Sequence, residues 1–373
     1  MSSRLGELAA VFLKLGVTGF GGPAAHIAMM EDEVVTRRGW LERAHFLDLM
    51  AATNLIPGPN STEMTMHVGF TRARLPGLVV AGASFILPAA LITGLIAWFY
   101  VRFGGLPQVE RLLWGTRPVV IVIILAAVWK LGRSAVKNGS LLGIGLAVAA
   151  AALAGLNEVA ALFAGGLLGM VWLRWQAARE RSALAPALAL PLAVGGAVPL
   201  WQVGAYFLFI GSVLYGSGYV LYAFLQGGLV QNLGWLSEQQ LIDAIAVGQF
   251  TPGPLLSTAT FVGYVVAGWQ GAVVATVAIF LPSFFFVWAL NPLVPRLRRS
   301  PWMAAFLDAV TVSAVALMLV VAWNLGRLTL TTWQAWLLLL VGGVLFFRFR
   351  LNAAWLVLGG ALAGWLASVL TAL

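Results

Sequence analysis

The chain has 373 residues, of which 61% are hydrophobic and only 9% charged, and its mean hydropathy is +0.93. Soluble domains carry about 25% charged residues, so this composition excludes them. The net charge of +9 comes from Lys and Arg clustered between apolar runs, the pattern of membrane loops, so nucleic acid is not implied as a partner. Cysteine is absent, which removes thiol chemistry and disulfides.

The apolar runs are long Leu/Ala/Val/Gly stretches, not short alternations, and predict a polytopic all-α membrane protein in a lipid bilayer. Many of the 16 tryptophans sit beside charges or run ends, as interfacial belts require. The start, MSSRLGELAAVFLKLG, contains Glu7 and Lys14 and reads as mature protein. In the first half, elements are predicted near 5–22, 44–70, 75–101, 112–130, 139–155 and 158–174. In the second they fall near 202–219, 239–264, 268–291, 303–325, 331–347 and 353–371.

The halves are copies. Pro57-Gly58-Pro59 and Pro252-Gly253-Pro254 lie 195 residues apart, and the same shift aligns Trp40-Leu41 with Trp235-Leu236, Asp48 with Asp243, and Phe20 with Tyr215. After the triplets the shift becomes 194 and aligns Leu87-Pro88 with Leu281-Pro282 and Trp129–Arg133 with Trp323–Arg327. The expected domains are an N-terminal repeat at 1–175, a linking segment at 176–200 and a C-terminal repeat at 201–373.

Basic clusters follow even elements in the first half (Arg72 and Arg74; Lys130, Arg133 and Lys137; Arg174, Arg179 and Arg181). They follow odd elements in the second (Arg296, Arg298 and Arg299; Arg348 and Arg350). The repeats are therefore expected to be inverted, which needs an extra crossing at 183–200 and gives roughly 13 spans. That scheme puts Arg37, Arg38 and Arg43 outside, against the rule, and leaves re-entrant first elements as an alternative.

Inverted repeats place a transporter site where broken helices meet. Pro-Gly-Pro breaks a helix, and a restarted helix offers free N–H groups and a positive dipole end to an anion. The candidate binding set is Asn54, Pro57, Gly58, Pro59, Asn60, Ser61 and Thr62 in the first half. Gln249, Thr251, Pro252, Gly253, Pro254, Ser257 and Thr258 form the corresponding set in the second. Asn60 and Glu63 have the spacing of a capping box, and Ser257 is placed to cap the other helix. Gly21 and Gly22 in GFGGP, matched by Gly216, Ser217 and Gly218, mark a second paired break. Lys14, Glu63 and His67 are candidates for fixed charge or proton coupling, the last two being one turn apart. The paired Asp48 and Asp243 point to architecture, such as bonding the backbone N–H groups of the triplets, as much as to transport. No zinc, P-loop or nucleophile-elbow motif occurs; no metal, cofactor or catalytic residue is implied.

FGGPAAHIAMMEDEVVTRRGWL with NLIPGPNSTEMTMHVGF, and the second-half stretch Tyr215–Tyr264, resemble the paired signatures of the chromate ion transporter family in its long, two-domain form. The resemblance covers both halves. It implies export of chromate across the bacterial inner membrane, with sulfate as the close structural analogue. Such proteins usually carry Phe-Gly-Gly-Gly where this chain has Tyr215-Gly216-Ser217-Gly218. A general oxyanion carrier and a membrane enzyme acting on phosphate groups are the alternatives, and a homodimer is left open.

Overall fold

The computed structural model describes residues 2–53, 55–178, 198–215, 218–290 and 300–370, and among these every regular element is helical. The first half contains α1 (Ser2–Thr18), α2 (Gly22–Glu31) with a π-helical extension (Asp32–Arg37), α3 (Arg43–Thr53), α4 (Asn60–Phe103), α5 (Pro107–Ala135), α6 (Gly139–Leu153) and α7 (Glu158–Ala178). The second contains α8 (Leu200–Val213), a short turn and α9 (Leu221–Phe224) running into a π-helical stretch (Leu225–Asn232), α10 (Glu238–Phe250), α11 (Thr258–Leu290), α12 (Pro301–Thr329), α13 (Trp333–Phe349) and α14 (Ala353–Leu370). Residues 183–197 of the expected extra crossing, together with Arg179, Arg181, Arg296, Arg298 and Arg299, lie outside the described residues.

A straight 44-residue helix would run about 66 Å, twice a hydrocarbon core of roughly 30 Å. Instead α4 reverses at Ala73 (φ −146°, ψ 27°) and Arg74 (φ 55°, ψ −143°), and α11 at Ala267 (φ −146°, ψ 29°) and Gly268 (φ 60°, ψ −154°). The second position needs positive φ, which glycine supplies without strain at 268 and which Arg74 must tolerate. Each reversal lets two glycines touch, Gly69 with Gly77 and Gly263 with Gly271, so the arms pack backbone to backbone.

Two earlier reversals in each half set the depth of the site. Lys14 on α1 faces Glu33, and Gly19 faces His26, so α1 and α2 form a hairpin with its tip at 19–22. Its outer end is tied down by Glu7 to Arg72 and by Arg72 over the Trp40 ring at 4.1 Å. Since Trp40 precedes α3 and Arg72 ends the first arm of α4, these two elements also form a hairpin, with Pro57-Gly58-Pro59 at its tip. The first two predicted elements are therefore re-entrant and not full spans, so the count of roughly 13 crossings does not hold for them. Arg37, Arg38 and Arg43 consequently lie at the same end as Arg72 and Arg74, which corrects their expected position. Two spans and two hairpins both return the chain to its starting side, so the downstream charge pattern is unaffected.

The halves interlock. Gly82 packs on Phe284 and Gly94 on Trp269, which sets the long arms of α4 and α11 antiparallel. Gly115 near the start of α5 meets Gly360 and Gly364 of α14, while Gly165 and Gly169 of α7 meet Ser313 and Ala309 of α12. Small residues let these backbones approach where lipid offers no hydrophobic drive. Lys137 at the end of α5 pairs with Asp308 near the start of α12 at 2.6 Å, and Arg174 of α7 stacks on Trp302 at 5.0 Å. One end of the bundle thus brings Lys137 and Arg174 of the first half against the start of α12. The core joins Val120 and Ile124 of α5, Leu317 and Val321 of α12, Phe207, Ile245, Phe261 and Phe280. Leu91, Phe99, Val273, Leu340 and Trp355 are exposed outward, as a lipid-facing surface requires.

The arm reversal gives a direct stability test. Gly77→Val should destabilise the protein by about 1–3 kcal/mol, because the new side chain meets the Gly69 carbonyl and the Ala73 methyl. Gly143→Val, where nothing lies within 4 Å, should leave the thermal midpoint in detergent unchanged.

Candidate functional site

The hairpin tips of opposite halves are bonded to each other. Gly58 N–H donates to the Leu214 carbonyl at 2.6 Å, and Gly253 N–H donates to the Gly19 carbonyl at 2.8 Å. Leu214 and Gly19 end α8 and α1, so each Pro-Gly-Pro caps the first hairpin of the other half. Both glycines have positive φ, 141° and 90°. Burial leaves no water to satisfy these groups, so the crossed bonds are obligatory. They also occupy the two central N–H groups, which corrects the expectation that Asp48 and Asp243 bond the triplets. Asp243 instead accepts from Arg117 Nε at 3.2 Å and from the Tyr100 hydroxyl at 3.0 Å, and Asp48 is exposed.

The capping box does not form. Pro59 is the N-cap of α4 with no side-chain cap, and Glu63 turns back against Gly58. In the second half Pro254 precedes a short 3-10 turn (Leu255–Ser257), so Ser257 caps nothing. That tighter turn lies where the repeat shift changes from 195 to 194.

The polar residues divide into three groups. In the second half they are satisfied internally: Gln249 donates to the Tyr222 hydroxyl (3.0 Å), Thr251 to the Val247 carbonyl (2.8 Å), Thr258 to the Leu255 carbonyl (2.8 Å), and Ser257 pairs with Thr93 (3.3 Å). Pro252, Gly253 and Pro254 are buried with them, and Gly218 packs on Leu255 and Leu256. Asn54, Gly216 and Ser217 lie outside the described residues.

The second group faces a cavity of about 1430 Å³. Phe20, Gly21, Leu55, Asn60, Tyr215 and Tyr219 line it among the hairpin tips. Its walls come from α5, α12 and the end of α13, and Lys130, Lys137 and Arg350 lie toward the basic end. Gly21 (φ 104°) N-caps α2 without any side-chain bond. Asn352 Nδ2 would lie 3.5 Å from a Cβ on Gly21, and the Tyr219 hydroxyl 3.2 Å from one on Gly22. Two helix starts, those of α2 and α4, thus open on one polar recess, which suits an anion. His26 fixes the recess by bonding the Gly19 carbonyl (2.9 Å) and Ser61 Oγ (3.3 Å).

The third group is buried behind the first triplet. It holds Glu63, His67, Thr62 and Ser283, and among the described residues neither His67 nitrogen nor Thr62 Oγ1 has a hydrogen-bond partner. Glu63 and Ser283 lie side by side against Gly58, with Pro57 and Pro59 buried around them. At the equivalent place in the second half Gly253 meets Ala89, so this polar cluster belongs to one repeat only. Lys14 stands apart, half-exposed on α1 and paired with Glu33 at 3.4 Å.

Sequence reasoning missed Tyr215, Tyr219, His26 and Asn352 around the recess, and Lys130, Lys137 and Arg350 at the mouth of the cavity. His26 and Tyr215 fall within the quoted signature stretches, which was the available signal. The cavity cations carried none beyond their place in loop clusters.

The close approach at the second tip is testable. A Cβ on Gly253 would sit 2.8 Å from that of Ala89, at a positive φ. Gly253→Ala should therefore lower stability by about 1–3 kcal/mol in a detergent melt, and Ala89→Gly should recover the part due to overlap but not that due to φ.

The profile described as chromate transporter matches the chain twice, over residues 6–170 and 201–365. A chromate transport protein of Cupriavidus metallidurans is 35% identical over 371 residues, covering 96% of this chain and 92% of its own. A probable chromate transport protein of Synechococcus elongatus is 33% identical, covering 87% and 86%. A chromate transport protein of Pseudomonas aeruginosa is 30% identical, covering 96% and 92%. No solved structure matches. With a helical multi-pass fold and two matched halves, the chain is a membrane transport protein, not an enzyme, and belongs to the chromate transporter family.

Proposed function

We propose that this protein exports chromate across the bacterial inner membrane, using two inverted repeats, 1–175 and 201–373, joined by the segment 176–200. The carrying observation is the cavity that runs from Lys130, Lys137 and Arg350 to the hairpin tips at Gly21 and Asn60. Positive-inside bias supports a cytoplasmic basic end, so the cavity is read as open to the cytoplasm. The antiparallel packing of the long arms of α4 and α11 supports inversion.

Chromate is a tetrahedral dianion. The cations at the mouth concentrate it, and the recess offers donors that need no net charge: the α2 and α4 starts, the Tyr219 and Tyr215 hydroxyls, and the amides of Asn60 and Asn352. The membrane potential supplies about 2.3 kcal/mol per charge per 100 mV, so an inside-negative potential drives a dianion outward with roughly twice that. Voltage-driven export is energetically sufficient. The Glu63–His67 pair, two buried ionisable groups one turn apart, is the candidate route for added proton coupling.

Three outcomes test this reading. Lys130→Gln with Arg350→Gln should raise the half-saturating chromate concentration about tenfold at low salt and much less at high salt, read in proteoliposomes with an imposed potential. Sulfate should compete under the same conditions; sulfate transport faster than chromate transport would favour the general oxyanion carrier. Glu63→Gln should flatten the pH dependence of the rate while leaving voltage dependence intact, and an unchanged pH profile would remove proton coupling.

A further inference from the structure

The two repeats are folded alike but docked differently. In the second half α10 packs against α5 and α14, and its residues from Leu241 to Gln249 are all buried. The first-half counterpart of that contact would place α3 against α12 and α7. Instead α3 packs on α4 and makes no comparable contact with α12 or α7. Leu47 is 44% exposed where its counterpart Ile242 is 3% exposed, and Asp48 is exposed where Asp243 is 1% exposed. The cavity occupies the place of the missing contact. Its wall on α12 includes Leu307, Thr311 and Ala314, the repeat counterparts of Leu113, Arg117 and Val120 on α5. Ala51 of α3 lines the opposite side, and Asp48 shares its helix face at i,i+3 spacing.

Resting on the transporter reading, we propose that Arg117 and Asp243 are the gate on the non-basic side, and that transport exchanges the two dockings. In the structure α10 is closed on α5 and α3 is open. In the opposite state α3 closes on α12, filling the present cavity, while α10 leaves α5 and opens a path to the other end. The closed side is latched at the buried Asp243 carboxylate: Arg117, largely buried, pairs with it and Tyr100 donates to the same group. Thr311 stands where Arg117 has its counterpart, so the inner closure lacks this ion pair. The two gates therefore differ in strength, which biases the resting protein toward the state described. Small shifts at the anion recess reach both gates because Pro-Gly-Pro ends both α3 and α10.

The absence of cysteine makes the test clean. Asp48→Cys with Thr311→Cys, the counterparts of the bonded Asp243 and Arg117, should form a disulfide on mild oxidation of membranes, stop chromate transport, and release it on reduction. No cross-link under turnover would overturn the exchange. Should this pair insert poorly, Ala246→Cys offers a second reading from the far side. Its labelling by an impermeant maleimide from that side should rise at least about tenfold when Asp243→Asn is added, since removing one partner of a buried ion pair shifts an equilibrium by more than a decade. Unchanged labelling would overturn the gate. Chromate protection of Ala51→Cys from the basic side is measured in parallel. Protection without cross-linking refutes the gate and keeps the site; cross-linking without protection keeps the gate and refutes the site.

Discussion

Two backbone hydrogen bonds hold the centre of the molecule: Gly58 N–H to Leu214 and Gly253 N–H to Gly19. A helix broken within a bilayer leaves donors and acceptors that water cannot reach, and each costs several kcal/mol when unpaired. Each break here is satisfied by a break in the other half. The four hairpin tips therefore converge by necessity, and neither repeat completes its centre alone. The two matched profile segments, 6–170 and 201–365, describe copies that fold as one interlocked body.

This constraint explains why the Pro-Gly-Pro triplets persist in so apolar a chain. Glycine is required at the middle position by positive φ and by contacts that admit no side chain, Glu63 and Ser283 at Gly58 and Ala89 at Gly253. The flanking prolines remove donors that would otherwise be buried. The proposed anion recess lies beside the crossed bonds, where the starts of α2 and α4 line one cavity.

Much of the fold was legible in the sequence. The constant shift marked equivalent positions, and the structure repeats it down to the reversals at Ala73-Arg74 and Ala267-Gly268. Chain parity hid the hairpins, since a pair of spans and a pair of hairpins give the same downstream sidedness; the misplaced Arg37, Arg38 and Arg43 were the trace of that ambiguity. The capping box at Asn60 failed because Pro59 already holds the extended N-cap conformation, freeing Glu63 to turn inward. The site was less legible than the fold. Repeat matching predicts symmetric residues, whereas the cavity exposes Gly21 and Asn60 of one half and buries Gln249, Thr251 and Ser257 of the other. Which polar groups face the cavity depends on the docking of α3 and α10, a tertiary choice that local sequence does not encode.

A tetrahedral oxyanion is proposed to rest among the hairpin tips. Anomalous scattering at the chromium edge from crystals soaked in chromate tests it most directly. A peak is expected in the recess bounded by Gly21, Gly22, Asn60 and Tyr219. A peak confined to the mouth beside Lys130 and Arg350, with none at the tips, would contradict it.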